Sequence, residues 1–258
     1  LVSAISPSIG GGQKLLDSVR LVPTPDFYRF GDDAEGFTKW YCDEIQKQID
    51  DMKAHGIKLA CFIADSIFSS DGVLPYPKGF LKAAVDVVHK NGGLFIGDEV
   101  QPGFCRSGDS FWGFLRHGIT PDLVTMGKPM ANGIPCSGLC GKHEILEAFS
   151  EKFPYFNTFG GNPVSMAAAI AVLDVIEKEN ILEHTKTVGA DFLKALKEVQ
   201  AKHGESVGDA RGAGLFIGIE FVKDPESKTP DPELAQLVIN RMYEKKILTS
   251  NCGPYGNV

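Results

Sequence analysis

The chain has 258 residues, of which 43% are hydrophobic and 23% charged, and its formal net charge is −7. That mixture is ordinary for a globular protein of one large domain, or one and a half ordinary ones. The acidic balance and the lack of any Lys/Arg run with interleaved aromatics argue against a nucleic-acid partner. No apolar stretch approaches the ~20 residues of a membrane span, and the longest nearly apolar run is Ala167–Val175.

In chain order, residues 1–34 are rich in Gly, Pro and Ser and read as an extended loop. Its triple glycine, Gly10-Gly11-Gly12, follows no strand and fits neither G-x-G-x-x-G nor G-x-x-x-x-G-K-[ST], so it reads as loop rather than phosphate cradle. The N-terminus carries no basic region of the kind that opens a signal peptide. Glu35–His55 is amphipathic at helical period, with Phe37, Trp40, Ile45, Ile49 and Met52 expected on one face. Lys58–Ala64 reads as a strand, and Lys78–Lys90 as a helix stopped by Asn91-Gly92-Gly93. Leu94–Asp98 and Asp122–Met126 are the next strands, with a short helix, Phe111–His117, between them, and Cys136–Gly141 is a further strand. Asn162–Glu179 and Ile181–His203 are long helices separated by Asn180. The alternation predicts an α/β fold with a parallel or mostly parallel sheet.

After about residue 205 the pattern changes. Val207–Arg211 and Gly214–Val222 form an expected hairpin, Pro232–Lys246 a helix, and Ile247–Ser250 the start of a strand. The predicted division is 1–180 for the C-terminal part of a large domain and 181–258 for part of a small α+β domain. The six cysteines (42, 61, 105, 136, 140 and 252) include no Cys-x-x-Cys. Reduced core thiols in a cytoplasmic protein are expected rather than disulfides. Cys136 and Cys140 have no His or Cys partner at ligand spacing, so no zinc site is expected. The six histidines sit singly, with no Ser-His-Asp arrangement to be inferred.

The most informative residues are Asp98 and Lys128. Asp98-Glu99-Val100-Gln101 closes one apolar run, and Gly127-Lys128 follows the next, Leu123-Val124-Thr125-Met126. Ligands of open α/β sheets sit outside the carboxyl ends of the strands. An acid and a lysine would therefore stand on one rim of one sheet. That pair suits pyridoxal phosphate, which needs a lysine for a Schiff base and a carboxylate to keep its pyridine nitrogen protonated. Taken singly each residue has a plainer explanation: a strand-end Asp often caps a loop, and a lysine is usually a surface charge. Thr158 alone would be an ordinary residue before a helix start.

In order, Asp98-Glu99-Val100-Gln101, Met126-Gly127-Lys128 and Thr158-Phe159-Gly160-Gly161-Asn162-Pro163 resemble the class III (ornithine/ω-amino-acid type) aminotransferases of fold type I. Val22–Arg29 and Ala64–Phe68 are most similar to the alanine–glyoxylate aminotransferase 2-like branch. The resemblance implies a large cofactor-binding domain, with a mostly parallel sheet and helices on both faces, plus part of a small C-terminal domain. It implies pyridoxal 5'-phosphate as cofactor and an amino donor with a 2-oxo acid or aldehyde acceptor as substrates. It makes Lys128 the Schiff-base lysine and then the general base. Asp98 becomes the partner of the ring nitrogen, Val100 a packing residue on the ring face, and Gln101 a hydrogen-bond partner of the ring's 3-oxygen. Thr158 would bind the cofactor phosphate across the interface of a homodimer with shared active sites.

The chain also departs from the family. The upstream phosphate cup and ring-stacking aromatic are missing, the segment bearing a substrate-carboxylate arginine is not reached, and Asp65 stands where many members carry Glu. The sequence is thus expected to be a fragment lacking both ends. The same ring chemistry serves phospho-lyases acting on amino-alcohol phosphates, and a truncated scaffold with no activity of its own is the third reading.

Overall fold

The computed structural model describes residues 14–258, so Gly10-Gly11-Gly12 lies outside the described residues. A short helix, α1 (Phe27–Phe30), interrupts what the sequence suggested was loop; Asp26 caps it by accepting from the Arg29 N–H. α2 (Ala34–Ala54) starts at Asp33, whose side chain accepts from the Gly36 N–H. It buries Phe37, Tyr41, Ile45, Ile49 and Met52, a stripe of one residue per turn. Tyr41 takes the inward place expected of Trp40, which packs half-buried at the margin.

The first sheet holds β1 (Cys61–Asp65), β2 (Leu94–Asp98), β3 (Leu123–Met126) and β4 (Gly138–Gly141), in that order. β1, β2 and β3 run parallel, and β4 returns antiparallel to β3. α3 (Phe80–Lys90) crosses from β1 to β2 and buries Phe80, Leu81, Ala84, Val85 and Val88. These side chains, Phe37, Tyr41, Ile45 and Ile49 of α2, Ala64 and Phe95 belong to one core. Each fully buried side chain of this size contributes about 1.5–3 kcal/mol, so the α2–α3 layer dominates the packing on this face. The other side of β1 is open, with Ile63 exposed.

β4 leads into α4 (His143–Lys152), a helix the sequence did not announce. Two longer helices follow, α5 (Pro163–Lys178) and α6 (Ile181–Lys202). The second sheet is the antiparallel hairpin β5 (Val207–Ala213) and β6 (Phe216–Asp224), edged by the two-residue β7 (Thr229–Pro230). α6 packs on β5 and β6, and α7 (Pro232–Glu244) on β6. Val207, Phe221 and Ala235 make its small core. Residues 247–250 form no strand and pair with none among the described residues, correcting the expected strand start. No helix among them is long and apolar enough to cross a membrane.

Buried charge fastens the two sheets together. Arg211 of β5 pairs with Glu220 of β6 at 2.6 Å and donates to the carbonyls of Gly72 (2.7 Å) and Val73 (2.8 Å) in the loop after β1. Glu220 also pairs with Arg29 and accepts from Asn257. All six cysteines are unpaired, as expected, but only Cys105 is buried; Cys61 and Cys140 are exposed.

Candidate active site

The site is built on the carboxyl ends of β2 and β3. The parallel register sets Asp98 beside Thr125, three residues before Lys128. Asp98 is half-buried, and its Oδ1 accepts from the Val100 N–H at 3.0 Å and the Thr125 hydroxyl at 3.4 Å. The strand ends at Gly127, and Lys128 opens a 3-10 turn, Lys128–Ala131, with its side chain exposed. A Cβ placed on Gly127 would lie 3.7 Å from both Val100 methyls, so Val100 sits against the backbone that delivers Lys128. Gln101, one position on, is half-buried. The structure thus gathers Asp98, Val100, Gln101 and Lys128 on one rim.

Thr158 stands apart from these four. It is exposed, in a turn where Asn157 accepts from the Phe159 and Gly160 N–H groups and Asn162 caps α5. No hydrogen bond joins it to the other four among the described residues. Its helix does pack against the Lys128–Ala131 turn, and Ser165 Oγ donates to the Pro135 carbonyl at 3.1 Å.

Two further carboxylates stand beside Asp98: Asp65, noted in the sequence only as a departure from the family, and Glu99, left without a role there. Glu99 is fully buried, and its carboxylate accepts from the backbone N–H groups of Gly113 (2.7 Å) and Phe114 (2.9 Å). Burial pushes its pKa up to about 7; the charges of Asp65 and Asp98 add to this, and the two N–H donors oppose it. Asp65, in register with Asp98 across β1 and β2, is pushed up to about 6 by burial, although Ile67 and Ser69 donate to it. Successive residues of an extended strand point to opposite sides. Asp98 is thereby left to the rim while Glu99 ties down the loop that runs from Gln101 to Trp112. An Asp-Glu pair at a strand end was the available signal, but nothing in it says which carboxylate faces which way.

Among the described residues no cluster of three or more metal-ligating side chains occurs. The donor set instead fits a flat cationic heterocycle with a reactive carbonyl: one carboxylate, one exposed primary amine from the neighbouring strand, and an apolar side chain between them.

The class-III aminotransferase family model matches residues 12–258. The chain belongs to that family. It is 38% identical to the ethanolamine-phosphate phospho-lyase homolog 1 of Caenorhabditis elegans, over 94% of this chain and 55% of that one. It is 42% identical to the mitochondrial alanine–glyoxylate aminotransferase 2 homolog 2 of Arabidopsis thaliana, over 94% and 49% respectively. Among solved structures, a phospholyase from Arthrobacter in complex with phosphoethanolamine superposes with a TM-score of 0.93 at 34% identity, covering 99% of this chain and 60% of that one. An aminotransferase of Bacillus anthracis gives 0.83 at 33%, covering 95% and 56%. The fold is therefore that of the fold type I transferases. The chain spans about half the length of the curated relatives it matches.

Proposed function

We propose that the protein to which this chain belongs is a pyridoxal 5'-phosphate-dependent aminotransferase, moving nitrogen between an amino donor and a 2-oxo acid or aldehyde acceptor. The observation that carries this reading is the placement of Asp98 and Lys128 at the carboxyl ends of adjacent parallel strands, with Val100 packed against Gly127 between them. When bound, the cofactor supplies a protonated ring that accepts the electron pair left on the substrate carbon. Asp98 holds the ring nitrogen's proton through a charge-assisted hydrogen bond. Lys128 Nζ would take the proton from the substrate carbon and deliver it to the cofactor carbon that bears the nitrogen. Val100 covers one ring face and excludes water, and Gln101 donates to the ring oxygen. Thr158, just ahead of the start of α5, offers its hydroxyl to a phosphate. As the family resemblance implies, Thr158 serves the site of a second copy in a homodimer. Unpaired cysteines suit a reducing compartment, a condition that cytosol and mitochondrial matrix share.

Borohydride reduction of the cofactor-loaded full-length protein, followed by peptide mapping, should fix the cofactor to Lys128 as a secondary amine. A tag on Lys142 or Lys152 would overturn the assignment. The second reading, a phospho-lyase acting on an amino-alcohol phosphate, is favoured by the 0.93 superposition on the Arthrobacter enzyme. Asp98 and Lys128 serve both reactions. Incubation with phosphoethanolamine, assayed for released phosphate, against amino donor with 2-oxo acid, assayed for transferred nitrogen, separates them.

A further inference from the structure

A cleft of about 270 Å³ opens where the two sheets meet, and its walls include none of the five proposed cofactor residues. One side is Tyr76, Lys78 and the loop Ser107-Gly108-Asp109 with Arg116; the other is α6 at Lys186 and the turn Gly212–Gly214. The walls carry three cations, Lys78, Arg116 and Lys186, against one carboxylate, Asp109. Asp109 serves two of them at once, Lys78 at 2.6 Å and the Arg116 guanidinium. Lys186 has only an exposed partner, Glu183, at 3.5 Å on its own helix. The wall is therefore positive by two charges.

Its polar groups are also incompletely satisfied. Three buried side-chain polar atoms lack a hydrogen-bond partner among the described residues: Ser66 Oγ, Ser107 Oγ and Arg116 Nε. Two of these residues line this cleft. Arg116 is held on its other side by the Pro75 carbonyl at 3.0 Å and by the Tyr76 ring. Ser107 Oγ and Arg116 Nε are each a buried donor with its hydrogen bond unmade in the wall, so turning either toward an acceptor in the cleft satisfies it.

We infer that this cleft binds a small dianionic oxyanion of the phosphate type, held by Lys186, Lys78 and Arg116 with the Ser107 hydroxyl turned toward it. The two excess positive charges and the unpaired Arg116 Nε favour a phosphate over a monocarboxylate. Because the two walls come from different sheets, the bound anion bridges them and stabilises their junction.

The test uses the full-length protein loaded with cofactor, so that the cofactor's own phosphate site is filled. Inorganic phosphate and, separately, acetate are titrated by calorimetry and thermal shift at constant ionic strength. The expected result is saturable phosphate binding that raises the melting temperature, with acetate at least tenfold weaker. Lys186→Glu and Lys78→Ser alter side chains that are more than half exposed, so both variants should fold. Each should weaken phosphate at least tenfold. Absence of saturable phosphate binding, equal affinity for acetate, or phosphate binding unchanged in either variant overturns the proposal.

Discussion

Glu99→Gln isolates what a buried carboxylate costs beside the cofactor rim. In the fold Glu99 has no exposure, and its pKa stands at about 7 against an ordinary 4.5. A raised carboxylate pKa means the folded state binds the extra proton. The stability it allows is complete below pH 4.5 and is lost as pH rises through about 7. At ~1.4 kcal/mol per unit, the loss across that window is about 3 kcal/mol. Glutamine removes this ionisation but brings a single acceptor oxygen to the two N–H groups of Gly113 and Phe114. One N–H is left unpaired, at about 1–3 kcal/mol.

The two effects give the substitution a pH-dependent sign. At pH 4.5 Glu99→Gln should be less stable than wild type by about 1–3 kcal/mol, because only the lost hydrogen bond counts. By pH 7.5 the gap should close or invert, as wild type carries the cost of a buried charge that the variant lacks. Urea unfolding of both proteins at half-unit steps from pH 4.5 to 7.5 measures this directly, and groups that titrate alike in both cancel in the difference. A gap that is flat across the series, or that widens with pH, would refute the assignment of a strained carboxylate to Glu99. Loading with cofactor supplies a test within the test: a cation held on Asp98 removes one of the charges that raise Glu99, so the slope should flatten.

His117 runs the other way. Its Nδ1 accepts from the Gly79 N–H at 3.0 Å, its Nε2 faces the Ser66 carbonyl at 2.8 Å, and burial lowers its pKa to about 4. The fold thus favours the neutral ring, so this stability is present above pH 6.5 and is lost as pH falls through about 4, again about 3 kcal/mol in all. His117→Gln keeps a donor and an acceptor and should erase that slope in the same urea series; a variant that retains it would move the titration elsewhere. Gly189→Ala tests the junction of α6 with the β5–β6 turn, where the added Cβ would stand 2.2 Å from the Gly214 carbonyl oxygen. Backbone cannot yield as a side chain can, so a loss of at least ~1–3 kcal/mol is expected, measured as a lower melting temperature, and an unchanged one would show that the helix slides freely.

Legibility in the sequence followed periodicity and punctuation. β2, β3, α3 and α6 were readable because apolar runs or stripes ended at Gly, Asn or charged residues, and their observed bounds differ by only a few positions. α4 was missed because it is short, Lys142 offers no side-chain cap, and Leu146 and Phe149 remain exposed. Ile247–Ser250 looks like a strand only until a partner is sought. The cysteines misled in a related way: apolar neighbours suggested core thiols, yet Cys61 and Cys140 are exposed. The placement of Asp98 and Lys128 on one rim was legible because both follow short apolar runs that end in charged and glycine residues. Glu99 was not, because its role is set by an N–H pair fourteen and fifteen residues away.

The same reasoning explains the least protein-like surface of the chain. α5 reads Pro-Val-Ser-Met-Ala-Ala-Ala-Ile-Ala-Val-Leu, apolar on all sides, and an all-round apolar helix belongs in an interior. Here only Ser165 is buried, while Val164, Ile170, Leu173 and Val175 are exposed. Phe156 and Phe159, flanking Thr158, are 86% and 80% exposed. Covering each such ring removes on the order of 150–250 Å² from water, at ~25 cal/mol per Å², so burying this patch, against the rest of the longer protein or a second copy, is worth several kcal/mol. On the proposed reading the patch that buries these rings against a second copy is the one that carries Thr158 to that copy's phosphate. Cofactor retention and assembly are then a single equilibrium. Weakening the apolar contact at Phe156 should loosen the cofactor as surely as removing the hydroxyl of Thr158.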